Sequence, residues 1–151
     1  MNENFMVETE FLFAFQPKDR HYDIVSRILK AYIETKSLRI HYPVSALIEV
    51  REVMASHGKA ADERLRALTL IKAKAEASKI SEIGLSSDNL ILCEEIMAQH
   101  QALTFFDSLH ASVALSNNLT IVSNDEAYDK IGVKRISFKD FLSFLEKQNY
   151  H

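Results

Sequence analysis

The amino-acid sequence predicts an α/β fold, a three-layer α/β/α sandwich around a mainly parallel sheet. Three observations carry this expectation. Short apolar runs rich in β-branched residues alternate with longer stretches whose apolar residues recur at helical spacing. The strand-like runs are apolar throughout rather than alternating, as in strands covered on both faces. Only three Gly and two Pro occur in 151 residues, too few for a turn-rich β-sandwich.

Phe5 to Val7 reads as the first buried strand, followed by an acidic turn at Glu8 and Glu10. Phe11 to Phe15 reads as a short helical segment stopped by Pro17. From Asp19, a residue type suited to the N-cap, Tyr22, Val25, Ile28, Leu29, Tyr32 and Ile33 mark an amphipathic helix as far as Lys36. Leu38 to Tyr42 is the second strand, and a helix carrying Leu47, Ile48, Val50, Val53 and Met54 follows and stops near Gly58. Ala60 to Lys79 has high helix propensity, and Ile80 to Leu85 forms a third strand with Gly84 inside it. Ser86 or Ser87 caps a helix to His100, and Thr104 opens another that ends at Asn117 and Asn118. Leu119 to Val122 and Val133 to Ile136 are the remaining strands, and Ser137 caps a last helix through Phe138, Phe141, Leu142 and Leu145.

The length suits one domain over residues 1–151, able to bury a core without disulfides. Cys93 is the one cysteine, and no basic flank precedes an apolar run near the N-terminus, so a reducing, cytoplasmic setting is expected. No apolar stretch approaches the ~20 residues of a spanning helix, so no membrane is expected. A formal charge of −3 excludes a protein that coats nucleic acid through a wholly basic surface. It leaves room for an acidic metal site with a local basic rim.

In open parallel sheets ligands sit beyond the carboxyl ends of the strands. Glu8 follows the first strand, and Asp125 follows the strand ending at Val122. Glu49 and Asp107 lie in the first turns of helices that point to the same edge if the crossovers are right-handed. Four converging carboxylates would raise one another's pKa, a penalty that a hard divalent cation removes. Such a cation activates water and stabilises a leaving oxygen in phosphodiester hydrolysis. Each acid also has a purely structural reading. Asp107 stands three residues after Thr104, the capping-box spacing, and Asp125 after Ser123 and Asn124 suits an Asx turn. Glu49 fits a solvated helix face and Glu8 an exposed loop.

Other constellations are weaker. Six His residues, His57, His100 and His110 among them, include no HExxH spacing, so zinc is not expected. Gly58, Gly84 and Gly132 form no phosphate-binding loop, and Cys93 reads as a small buried apolar residue. Phe105, Phe106, Phe138, Phe141 and Phe144 read as core rather than as a base-stacking platform.

The stretch FFDSLHASVAL followed by LTIVSND resembles the C-terminal half of a PIN domain, with Tyr128 at the position of an aromatic residue that commonly follows. VSALIEVREV resembles the family's second acidic helix and places Glu49 on its glutamate. The resemblance spans almost the whole chain and implies a PIN-like sandwich and a Mg²⁺- or Mn²⁺-dependent ribonuclease; single-stranded RNA is the expected substrate because an A-form duplex holds its backbone too stiffly for a narrow cleft. It assigns Glu8, Glu49, Asp107 and Asp125 to catalysis and metal binding, with Thr9, Ser123 and Asn124 in support. Many relatives are VapC-like toxins held inactive by an antitoxin, and homodimers are common; helix Asp19 to Lys36 offers a face for one. The first motif departs from the pattern: Glu8 replaces the usual Asp, and Glu10 stands where the family is usually uncharged. A longer acid displaces a metal by about an ångström, and ~1 Å can cost a hundredfold in rate. A degenerate domain that binds RNA or protein without cutting is therefore the alternative. A phospho-acceptor signalling domain is disfavoured, because its paired acids are adjacent whereas Thr9 separates Glu8 from Glu10. RNA passing over an acidic site needs rim cations, for which Arg51, Arg64 and Lys72 are the candidates, with Arg66, Lys74 and Lys79 nearby.

Overall fold

The structure, a computed structural model, describes residues 3–150. Among these, five parallel strands form one sheet in the order β3-β2-β1-β4-β5, from β1 (Glu3–Val7), β2 (Leu38–Pro43), β3 (Ser81–Ile83), β4 (Thr120–Val122) and β5 (Arg135–Ile136). Helices α1 (Thr9–Phe13), α2 (Tyr22–Ile33), α3 (Val44–Ser56), α4 (Ala61–Ala77), α5 (Ser87–Gln99), α6 (Phe105–Ser116) and α7 (Phe138–Asn149) cover both faces. The expected sandwich is present.

β1 occupies the centre because its side chains are apolar in both directions. Phe5 and Val7 enter a core with α1, α2, α3, α4 and α7, whereas Met6 enters a second core with Ile96, Ala111, Ile121 and Tyr128. Burying side chains on both faces leaves only the strand ends free for polar groups. The winding reverses at β1, which pairs with β2 on one side and β4 on the other, so a crevice opens beyond their carboxyl ends.

The expected cap residues do their work at three helices. Ser86 forms a reciprocal capping box with Asn89, Thr104 Oγ1 accepts from the Asp107 N–H at 3.2 Å, and Ser137 Oγ accepts from the Asp140 N–H at 3.2 Å. Gly58 ends α3 at φ +75°, a left-handed conformation that glycine adopts without a Cβ penalty.

Several boundaries differ from the sequence expectation. Asp19 is not the cap of α2; its Oδ1 accepts from the His21 N–H at 2.8 Å, making a turn that delays the helix to Tyr22. α1 begins directly after Glu8, two residues earlier than expected, so Glu8 is a buried helix-start residue and not an exposed loop acid. β3 and β5 are shorter than expected, because each pairs along one side only. A 3₁₀ turn at Glu126–Ile131, not anticipated, links β4 to the chain before β5. Cys93 is buried as expected, whereas Phe105 is 40% exposed and lies outside the core. On α2, Val25, Ile28, Leu29 and Tyr32 are buried in the core, while Ile33 stays 56% exposed.

Candidate metal centre

Equivalent positions of β1 and β4 are in register, Val7 beside Val122, so the residues that follow them emerge side by side. Glu8 follows β1 and is 6% exposed. Thr9 comes next and donates its hydroxyl to Glu49 Oε1, bringing α1 onto α3. Glu49 lies in the second turn of α3, and Asp107 in the first turn of α6. Glu8, Thr9, Glu49 and Asp107 line one cleft of about 320 Å³.

The electrostatics of this cleft separate the acids. Burial, reinforced by Glu49, Glu10 and Asp107, pushes the Glu8 carboxyl up to about 8. Burial also works against the charge on Glu49, but hydrogen bonds from His110 and Thr9 outweigh it and hold Glu49 below the usual carboxylate range. Burial raises Asp107, with the Asp125 and Glu49 charges adding to it and the Thr104 hydrogen bond opposing. Thus without a cation at neutral pH the cluster keeps a proton on Glu8 while Glu49 stays anionic.

Asp125 is exposed and makes the expected Asx turn, its Oδ1 accepting from the Ala127 N–H at 3.0 Å. Its own N–H donates to buried Ser123 Oγ at 3.1 Å, and its charge is felt at Asp107. Asp125 thus makes its Asx turn while its charge reaches Asp107, and Asp107 meets the Thr104 hydroxyl through its backbone N–H and through its carboxylate. Asn124 points elsewhere: its Oδ1 accepts from the Phe138 N–H at 3.0 Å and ties the end of β4 to α7.

Sequence reasoning missed His110. One turn after Asp107, it is fully buried, with Nδ1 2.8 Å from Ser45 Oγ and Nε2 2.9 Å from Glu49 Oε1 and 3.2 Å from Thr9 Oγ1. Candidate ligand atoms of Glu8, Glu49 and His110 all lie within 4.8 Å of one another. The spacing of three from Asp107 placed both on adjoining helix faces, a signal that a search for zinc spacings passes over. Tyr128 was read only as an aromatic match. It is 1% exposed, its hydroxyl has no partner among the described residues, and its pKa is raised well above the ordinary value by burial and then by Glu8, Asp107, Asp125 and Glu49.

The rim also differs from expectation. Glu10 does not crowd the other acids unopposed, since His21 Nε2 lies 2.8 Å and Arg20 3.8 Å from its carboxylate. Arg20 and His21 line the acidic cleft, and the Arg20 side chain is 83% exposed. Of the sequence candidates, Arg51 pairs with Glu52 at 2.6 Å and Arg64 donates to the Lys59 carbonyl at 2.7 Å. Lys72 lines a separate depression with Arg39, Tyr42 and Glu82.

The donor set, mostly carboxylate oxygens with one orphaned buried hydroxyl beside them, fits a hard divalent ion such as Mg²⁺ or Mn²⁺ better than a thiophilic one. Among the described residues no Lys or Arg pairs with Glu8, Glu49 or Asp107.

Comparison with known proteins agrees with this fold. VapC20 of Mycobacterium tuberculosis, described as a sarcin-ricin loop cleaving toxin, superposes with a TM-score of 0.65 at 15% identity over 85% of this chain and 95% of that one. VapBC2 from Rickettsia felis, solved bound to a DNA fragment from its promoter, gives 0.60 at 18% identity over 89% and 98%. FitAcB from Neisseria gonorrhoeae gives 0.61 at 13% over 92% and 99%. Likeness at these identities concerns the fold alone. No curated protein sequence matches the chain. The family model of the PIN domain matches residues 5–134, spanning β1, the cleft and the turn that carries Tyr128, and the chain belongs to the PIN domain family.

Proposed function

We propose that this PIN domain is a Mg²⁺- or Mn²⁺-dependent endoribonuclease that hydrolyses phosphodiester bonds of single-stranded RNA in the cytoplasm. The observation that carries the reading is Glu8, an acid buried among other acids and paired with no cation among the described residues. Burying a carboxyl in this way is unfavourable for a bare fold and becomes favourable when a cation replaces its proton. Glu8, Glu49, Asp107 and Asp125 would hold the ion, which supplies an activated water and charge stabilisation for the leaving oxygen.

The chain's own residues divide the remaining work. Glu49, kept anionic by Thr9 and His110, offers its second oxygen to the cleft. Ser123 fixes the backbone of Asp125. Arg20, at the lip, receives an incoming phosphate in exchange for Glu10. A single strand suits the cleft, because a duplex holds its backbone too stiffly to bend into it.

An antitoxin partner and a homodimer remain part of this reading. Support comes from the toxin described for the VapC20 neighbour and from the two-component VapBC2 neighbour. The test is cleavage of single-stranded RNA by purified protein with Mn²⁺ against an Asp125→Asn control. Equal cleavage by both forms marks contamination and ends the proposal. The length of Glu8 favours one competing reading, a domain that binds without cutting. If Glu8→Asp cleaves RNA and the natural protein does not, that reading replaces ours.

A further inference from the structure

The hydrogen bonds around His110 converge in a way that separates holding an acid from binding an ion. Ser45 and Glu49 stand four residues apart on α3, one turn above the other on a single face. The ring of His110, reaching across from α6, is clipped between them, with Nδ1 at Ser45 Oγ (2.8 Å) and Nε2 at Glu49 Oε1 (2.9 Å). A carboxylate accepts and never donates, so Nε2 must carry the hydrogen that this contact requires. Ser45, fully buried, can donate to Nδ1 when that nitrogen carries no hydrogen. The opposite tautomer would aim the Nε2 lone pair at the Glu49 oxygen, leaving two acceptors face to face.

Thr9 donates to the same Glu49 oxygen. Two donors from two other elements thus saturate Oε1, while Oε2 has no protein partner among the described residues. A carboxylate pinned at one oxygen loses its freedom to rotate and presents the other in one direction.

We propose that His110 is a positioning residue, a donor locked by Ser45 that aims the free oxygen of Glu49 into the cleft, and not itself a metal ligand. The inference rests on the metal-dependent reading above and adds to it a division of roles. Its geometry is distributed over three elements: Ser45 sets which ring nitrogen bears hydrogen, His110 carries that choice across to α3, and Thr9 completes it from α1.

The experiment measures Mn²⁺ binding calorimetrically and the ring nitrogens by ¹⁵N NMR, in the whole chain, for the natural protein, His110→Ala, His110→Gln and Ser45→Ala. In the natural protein Nε2 should report a bonded hydrogen both before and after Mg²⁺ is added. His110→Ala should weaken Mn²⁺ binding by roughly tenfold or more with unchanged stoichiometry, the scale of lost support behind a ligand. His110→Gln retains an N–H donor at similar reach and should recover most of the affinity, while Ser45→Ala should lose an intermediate amount and show both tautomers. Should His110→Ala not fold, the Gln and Ser45 variants carry the test alone. Loss of the Nε2 hydrogen on adding Mg²⁺ would make His110 a ligand and overturn the proposal. So would natural affinity in His110→Ala, or a His110→Gln variant as weak as His110→Ala when both are folded. Natural protein that binds no Mn²⁺ overturns the metal-dependent reading together with this one, whereas the other adverse results overturn this one alone.

Discussion

Replacing Glu8 by Gln removes one charge and keeps the side chain's size, which isolates the energetic cost of the buried acid. In the folded chain Glu8 holds its proton up to about 8, against an ordinary value of 4.5. Between these values the unfolded chain has released the proton and the folded chain has not, so the folded state binds more protons. Stability therefore falls as pH rises through this window and levels off above it. The pKa interval corresponds to roughly 5 kcal/mol at ~1.36 kcal/mol per unit, an upper figure because neighbouring acids adjust as Glu8 ionises. For a chain of this length that is a shift of up to roughly 10–20 °C in the unfolding midpoint. The assay is thermal unfolding of both proteins in chelator across pH 5 to 9. Glu8→Gln should nearly match the natural protein at the acid end, gain on it progressively as pH rises towards about 8, and keep a constant lead above that. Mn²⁺ should then restore the natural protein, by about 2.7 kcal/mol at a hundredfold excess over Kd, and leave the variant little changed. Parallel curves for the two proteins across the whole range in chelator would refute the claim that Glu8 is the strained group.

Three further outcomes follow from the same geometry. Asp107→Asn should lower RNA cleavage at least a hundredfold while moving the unfolding midpoint little, since the Thr104 cap engages the backbone N–H of Asp107, which the substitution keeps; turnover and calorimetry on one sample check this. Arg20→Glu should weaken RNA binding and flatten its dependence on salt by about one phosphate contact or more, whereas Lys72→Glu, in a separate depression, should leave the slope near natural; filter binding at several salt concentrations compares them. Asn124→Ala removes the acceptor for the Phe138 N–H and should cost about 1–3 kcal/mol in denaturant unfolding, with Mn²⁺ affinity of the folded protein almost unchanged.

What could be read in the sequence was whatever depends on near neighbours along the chain. Ser86, Thr104 and Ser137 each bond three residues ahead, so their helix starts were legible, as was the stop at Gly58. The edge strands β3 and β5 were overextended because their apolar residues serve the cores without pairing on a second side. Glu8, Glu49 and Asp107 could be gathered because strand ends and helix starts of a parallel sheet share one edge. His110 could not be assigned its part, since its partners Ser45 and Thr9 lie 65 and 101 residues away and neither is an acid. Arg20 sits in a turn without periodicity, and only folding brings it to Glu10. Asn124 stands between Ser123 and Asp125, which bond to each other, and its own side chain secures α7 through a contact 14 residues away that no local pattern reveals.

The placement of the first strand in the middle of the sheet also governs when the centre comes into being. β1 leaves the ribosome before its sheet partners, yet half of its pairing awaits β4, and Thr9 meets His110 only after 101 more residues have been added. At ~5–20 residues per second this interval lasts roughly 5–20 s, during which Glu8 and Thr9 have no His110 or Asp107 to meet. A centre assembled in this order cannot form before α6 has been synthesised. The long loop that the topology must close, a burden for folding speed, thereby delays the gathering of the acidic cluster until α6 has been made.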